Sequence, residues 1–147
     1  MKRILIREEY CLGCRLCEIY CVVQHSKSRR IVKAYKREFP RPVPRVIVEE
    51  HDFTSFALQC RHCEEAPCLD ACITAALTRD EETGAVLCDE NKCVGCWMCI
   101  MVCPFGVIQR SQQRKIASKC DLCYGEEIPV CVKNCPNDAL LLVEAPR

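Results

Sequence analysis

The stretch Cys93-Val94-Gly95-Cys96-Trp97-Met98-Cys99-Ile100-Met101-Val102-Cys103-Pro104 decides how this chain is read. Its spacing is C-x2-C-x2-C-x3-C-P. Three thiolates close together in sequence suit three irons of one cubane, while the fourth leads into the next segment and serves a different cluster. One such run therefore requires a partner run. A zinc site needs only four Cys or His ligands in paired spacing, with no use for the third cysteine or the x3-C-P tail.

Three further runs are present. Cys11, Cys14, Cys17 and Cys21 repeat the x2, x2, x3 spacing, and Cys60, Cys63, Cys68 and Cys72 are spaced x2, x4, x3. Cys120, Cys123, Cys131 and Cys135 are spaced x2, x7, x3, with Pro136 following. Together the runs use all but one of the 17 cysteines. The one left over, Cys88, lies on a predicted strand and reads as a small buried hydrophobe. An odd cysteine count, metal-ligand spacings and no secretory leader argue against a disulfide scaffold. A chain of 147 residues makes one domain or two very small ones. Its 50 % hydrophobic content includes the cysteines, so the ordinary apolar core is thin and folding leans on metal. No apolar run approaches the ~20 residues of a membrane span. These features together predict a soluble protein in a reducing compartment, the cytoplasm.

The formal charge of +1 understates the acidity of a loaded protein. A cubane with four thiolates carries about −2, so four of them bring the oxidised protein to about −7.

Along the chain, residues 2–6 read as a strand. Arg15 to Gln24 suits a helix carrying Cys17 and Cys21 on one face. Between Gln24 and Val48 lie Lys27, Arg29, Arg30, Lys33, Lys36, Arg37, Arg41 and Arg45 against one acid, Glu38. Pro40, Pro42 and Pro44 stiffen this stretch, and Arg45–Glu49 reads as a strand. Two readings stay open for the cations: a solvated loop that offsets cluster charge, or a docking surface for an acidic partner. Tyr35 and Phe39 are too few for the stacking platform of a nucleic-acid binder. Pro67 opens a short helix bearing Cys68 and Cys72. Leu77–Arg79 and Ala85–Cys88 read as a hairpin with Gly84 at positive φ, and Asp80-Glu81-Glu82 as its solvated turn. A helix over Trp97–Val102 and a strand at Val107–Gln109 follow. Then come a turn at Ser111-Gln112-Gln113, a strand near Lys115–Ala117, and a buried strand at Ala139–Val143.

The ends of the runs align. Cys103-Pro104-Phe105-Gly106-Val107-Ile108 matches Cys135-Pro136-Asn137-Asp138-Ala139-Leu140, and Cys72-Ile73-Thr74-Ala75-Ala76-Leu77 fits the same frame. Each run is a loop, a short helix and a strand, and two such units make one two-cluster module. The predicted fold is α+β: two bacterial-ferredoxin-like modules with small antiparallel sheets and short helices. The strand at 2–6 serves as an added edge strand. Backbone N–H groups near Gly13, Gly95 and Gly106 are candidate donors to cluster sulfur.

These motifs, with Glu64-Glu65-Ala66-Pro67-Cys68 and Lys119-Cys120-Asp121-Leu122-Cys123, resemble the four-cluster ferredoxin-type electron-transfer subunits over nearly the whole chain. That family includes the β subunits of the dimethyl sulfoxide reductase and formate dehydrogenase group. It also includes the iron–sulfur partner of carbon monoxide dehydrogenase, which the short length and missing C-terminal anchor resemble most. The resemblance implies four [4Fe-4S] clusters. Cys11, Cys14 and Cys17 would act with Cys135, and Cys120, Cys123 and Cys131 with Cys21. Cys60, Cys63 and Cys68 would act with Cys103, and Cys93, Cys96 and Cys99 with Cys72. Residues 1–59 plus 111–147 would form one module, with the second, 60–110, inserted between. One departure stands out: Ile73 replaces the proline usual after the second run. It is expected to shield its cluster and to change the helix exit.

The implied function is electron transfer rather than catalysis, between carbon monoxide dehydrogenase and a second redox partner in a hetero-oligomer. A formate dehydrogenase or hydrogenase subunit is the alternative, and a zinc-binding regulatory or nucleic-acid-binding protein the alternative of another class. His25, His51 and His62 could ligate, but the cysteines suffice, and His62 is expected beside the site or on the surface. Trp97 is expected to pack on its cluster. No phosphate loop, paired catalytic carboxylates or Ser-His-Asp group is visible.

Overall fold

A computed structural model describes residues 1–111 and 114–144. Strand β1 (Lys2–Ile6) runs antiparallel to β8 (Leu140–Glu144), with Lys2 opposite Glu144 and Ile6 opposite Leu140. The remaining strands pair as hairpins: β2 (Val46–His51) with β3 (Thr54–Gln59), β4 (Leu77–Arg79) with β5 (Val86–Cys88), and β6 (Gln109–Ser111) with β7 (Ile116–Ser118). The result is a set of two-stranded antiparallel sheets with short helices, the α+β class that the motifs predict.

Helix α1 (Leu16–Gln24) is the longest, and its inward stripe is Cys17, Cys21 and Val22. Helices α3 (Pro67–Asp70), α4 (Met98–Met101) and α5 (Val130–Lys133) are single turns that follow the second cysteines of their runs. Helix α1 packs beside α5, and α3 beside α4.

The core is divided. One cluster joins Ile4, Val46, Val48, Leu122 and Leu140 to Cys17, Cys21, Cys120 and Cys131, with Cys60 and Cys135 packed against it. The other joins Leu77, Val86, Ile108 and Ala117 to Cys99, with Cys63, Cys68, Cys72, Cys88, Cys93 and Cys103 packed against it.

Several elements depart from expectation. Helix α2 (Ile31–Lys36) lies in the stretch read as solvated loop or docking surface, and strand β3 in residues for which no element was expected. Six residues carry too little periodicity to announce a helix, and only Ala34 of α2 is buried. The β2–β3 turn uses Asp52 at φ 52°, a place that Asp tolerates without the glycine that would have flagged it. Strand β6 begins two residues later than expected. Val107 and Ile108 are buried but stand outside the ladder, so their apolar character reports burial and not pairing. Ile73 is 75 % exposed. The expected turn at Ser111-Gln112-Gln113 falls largely outside the described residues.

Candidate metal centres

The internal repeat is written in the backbone. The residue before the second cysteine has positive φ in every run: Gly13 (64°), His62 (47°), Gly95 (68°) and Leu122 (56°). This folds the chain back so that the first two thiols face the same side. The third residue after the last cysteine is also at positive φ in three runs: Ala75, Gly106 and Asp138. Each of these donates its N–H to the carbonyl of that cysteine, at 3.1, 3.2 and 3.5 Å. The second run therefore leaves its helix by the same turn as the others despite Ile73, and the expected change of exit is absent. Proline at that place is optional because the turn is held by this hydrogen bond.

The turn is tightest at Gly95, where a Cβ would stand 2.2 Å from the Lys115 carbonyl oxygen; at Gly13 the nearest atom, the Ser55 hydroxyl oxygen, is 3.3 Å away. A left-handed non-glycine residue costs about 1–2 kcal/mol. Gly13→Ala is expected to lose about that much, and Gly95→Ala clearly more because backbone must also move. Denaturant unfolding of the two loaded variants checks this, and equal losses would refute it.

Cys11, Cys14, Cys17 and Cys135 wall one pocket together with Ile6, Leu12, Val48 and Leu140. Cys60, Cys63, Cys68 and Cys103 wall another with Ala66, Val86 and Ile108. Burial and the nearby thiols of Cys120, Cys21, Cys123 and Cys17 push the Cys131 thiol far up. Burial, then the thiols of Cys93, Cys96 and Cys68, raises Cys99 to about 11. Cys72 shares their core. Its burial is outweighed by the Leu77 N–H and the Thr74 hydroxyl, which hold it below the usual thiol range. Cys88 stands beside Cys93, and burial with that neighbour pushes it up to about 12.

Among the described residues no three Cys, His, Asp or Glu side chains close on the point that one ion would occupy. The thiols stand around cavities instead. Backbone N–H groups also aim at sulfur: Arg45 at Cys21 (3.2 Å), Ala117 at Cys93 (3.4 Å), His62 at Cys60 (3.5 Å), Leu122 at Cys120 (3.4 Å) and Ala139 at Cys135 (3.2 Å). Such donors favour thiolate, the ligating form. Grouped thiols, apolar walls and N–H donors fit iron–sulfur clusters, which would supply the positive charge that buried thiolates need.

Two polar features were missed from sequence. Asp121, inside the fourth run, binds His25 Nε2 (3.2 Å) and Arg45 Nη1 (2.5 Å) and accepts the Cys123 N–H (3.0 Å). The other His25 nitrogen faces the Cys21 carbonyl at 2.8 Å. Burial opposes charge on His25, but bonding to Asp121 and Cys21 outweighs it and raises it to about 9. His25, weighed only as a spare ligand, ties α1 to the fourth run; its place four residues beyond Cys21 on one helix face was the available sign. Lys119 is 2 % exposed, and its ammonium donates to the carbonyls of Val86 and Cys120. Its position immediately before Cys120 gave no hint of burial.

The other expectations resolve simply. His62 is 1 % exposed and accepts the Val86 N–H at Nδ1 (3.0 Å), so it is not a surface residue; burial and Lys119 drive it down to about 3. Exposed His51 pairs with Asp52 at the hairpin turn. Trp97 is half-buried under the Arg110 guanidinium, 5.0 Å from its ring. Asp80 closes its turn by accepting from the N–H and hydroxyl of Thr83.

Residues 51–145 match the family model described as the 4Fe-4S dicluster domain. The chain belongs to that family. Several curated relatives match nearly all of it. It is 37 % identical to an iron-sulfur protein of Rhodospirillum rubrum, over 96 % of this chain and 81 % of that one. It is 35 % identical to the electron transport protein HydN of Escherichia coli (98 % and 89 %) and 33 % identical to the thiosulfate reductase electron transfer subunit PhsB of Salmonella typhi (90 % and 70 %). The chain also matches AegA of Escherichia coli at 37 % identity, but spans only 21 % of that longer protein. Among solved structures it superposes on the active site complex BamBC of benzoyl coenzyme A reductase with a TM-score of 0.53 and 26 % identity, covering 100 % of this chain and 81 % of that one. No helix among the described residues is long and apolar enough to cross a membrane.

Proposed function

We propose that this dicluster-family chain relays single electrons through four [4Fe-4S] clusters and makes or breaks no substrate bond itself. The observation that carries the reading is the turn repeated in four cysteine runs, with two groups of four thiols each walling a pocket. The proposed ligand sets are Cys11, Cys14, Cys17 and Cys135; Cys120, Cys123, Cys131 and Cys21; Cys60, Cys63, Cys68 and Cys103; and Cys93, Cys96, Cys99 and Cys72. The proposed modules are 1–59 plus 111–147 and 60–110; the two core clusters follow this division in the main, but Ala85, Cys60 and Leu87 join the first and Ala117 the second. Each cluster, when bound, accepts and gives up one electron. The chain's own residues hold it, exclude water with apolar walls, and aim N–H groups at sulfur to set its potential.

Carbon monoxide dehydrogenase is the proposed catalytic partner, on the resemblance of the motifs, in a hetero-oligomeric system of the cytoplasm. Formate dehydrogenase or hydrogenase comes next. Under carbon monoxide, a catalytic trace of carbon monoxide dehydrogenase is expected to bleach the brown absorbance rapidly. Bleaching by dithionite alone would move the assignment to the other two.

The ligand sets predict about sixteen irons and as many sulfides per chain. Cys88→Ala is expected to keep all of them, while Cys99→Ala loses a cluster or leaves a three-iron form. Iron and sulfide analysis with EPR of the oxidised variants checks this. A few zincs without sulfide would instead return the protein to the zinc class.

A further inference from the structure

The segment between the first two runs carries a surface that the relay reading does not absorb. From Lys27 to Arg41 every exposed charged side chain is a cation: Lys27, Arg29, Arg30, Lys33, Lys36, Arg37 and Arg41. Glu38, the acid among them, is occupied, accepting the N–H groups of Lys27 (2.9 Å) and Ser28 (2.8 Å). Arg29 reaches Glu126 at 3.6 Å, and Arg41 folds onto the ring and carbonyl of Tyr35. Arg30, Lys33, Lys36 and Arg37 find no carboxylate among the described residues. Among these cations stand Ile31, Val32 and Phe39, exposed by 47, 65 and 79 %.

This surface is held in place. Ala34 is fully buried, Glu38 clamps the turn before α2, and Arg41 fixes Tyr35. Helix α2 lies directly beside α1, which carries Cys17 and Cys21. At the far end of the segment the Arg45 N–H bonds the Cys21 sulfur. A partner seated on α2 is thus one helix away from thiols of the relay.

We infer that the cationic, apolar-centred face of α2 and the residues after it, Lys27–Arg41, is the docking site for an acidic one-electron carrier protein. The inference rests on the relay reading and names where that relay meets its soluble partner. Exposed apolar groups ringed by charge form the ordinary pattern of a protein–protein interface. A loaded chain of about −7 repels an acidic carrier on the whole, while this concentration of cations attracts it, so the local field both orients and accelerates the encounter. The same face suits nucleic acid poorly, since Arg41 covers the Tyr35 ring. Six residues of α2 are also too few to lie as an amphipathic helix in a lipid surface.

The test uses the loaded protein and a small acidic two-cluster ferredoxin in anaerobic stopped flow across a salt series. The wild-type exchange rate is expected to fall as salt rises. The triple variant Lys33→Glu, Lys36→Glu, Arg37→Glu is expected to be at least about tenfold slower at low salt and nearly salt-independent. The triple glutamine variant should fall between, and it replaces the first if that one fails to load iron. Potentials measured with small-molecule mediators should stay put. Unchanged rates overturn the inference, and so does a shift of potentials large enough to explain the rates, which would make these cations a screen for the clusters. Salt-sensitive binding to anionic vesicles or RNA that the variant abolishes, without an effect on ferredoxin, overturns it in favour of those partners. A protein that dithionite cannot bleach overturns the relay reading and this inference with it.

Discussion

Stripping the iron is expected to abolish the fold, not merely the colour. The reason lies in what is left without metal. The longest helix has nine residues and three helices have four. Helices shorter than about 12–15 residues and isolated two-strand ribbons are marginal in water. Cys17, Cys21, Cys99, Cys120, Cys123 and Cys131 are themselves part of the buried core. A structural zinc contributes about 10–16 kcal/mol to a small domain, against total stabilities of about 5–15 kcal/mol, so losing the four proposed multi-ligand sites exceeds anything the apolar contacts can supply. The proposed Cys11–Cys135 and Cys21–Cys120 links also close the longest loops in the chain, which shrinks the unfolded ensemble most. Anaerobic chelation followed by circular dichroism and urea titration should show no cooperative transition. A sharp transition in an iron-free sample would overturn this account of the stability.

Replacing Lys119 by methionine is expected to lower the potentials of the clusters proposed at Cys60/Cys63/Cys68/Cys103 and Cys120/Cys123/Cys131/Cys21. The methionine side chain has similar length and no charge, so packing changes little. Lys119 is buried and has no carboxylate partner among the described residues; its field reaches the thiols of Cys68 and Cys120. A fixed cation favours the state with one more electron. Its loss should shift at least one midpoint negative by on the order of 60 mV, a tenfold change in a one-electron equilibrium. The orphaned carbonyls of Val86 and Cys120 add about 1–3 kcal/mol of destabilisation each. EPR-monitored redox titration decides the matter. Unchanged midpoints in a variant with full iron would show that Lys119 is only a hydrogen-bonding strut.

Much of this was readable from residues because cysteine spacing is a direct statement of geometry. The runs dictated the loops, Pro67 and Gly84 punctuated α3 and the β4–β5 hairpin, and short runs of apolar, strand-forming residues placed β1 and β8. What escaped has a common cause. Helix α2 and β3 owe their existence to neighbours: α2 to the seat that α1 offers Ala34, β3 to its partner β2. Single-chain pattern carries no record of a neighbour. Lys119 and the Arg45–Asp121–His25 bridge escaped for the opposite reason. Charged residues are read as surface by default, and only assembly of all four runs leaves them inside. Ile73 misled because a familiar proline was credited with a turn that a backbone hydrogen bond makes.

The pairing of β1 with β8 brings Lys2 opposite Glu144, so the polypeptide enters and leaves this unit at one spot. Such an arrangement behaves like a plug with both leads on the same side. A longer protein could carry the unit in one of its loops without stretching either connection. A circularly permuted version, joined there and reopened at the Asp80–Thr83 turn, should assemble the same set of turns and cavities.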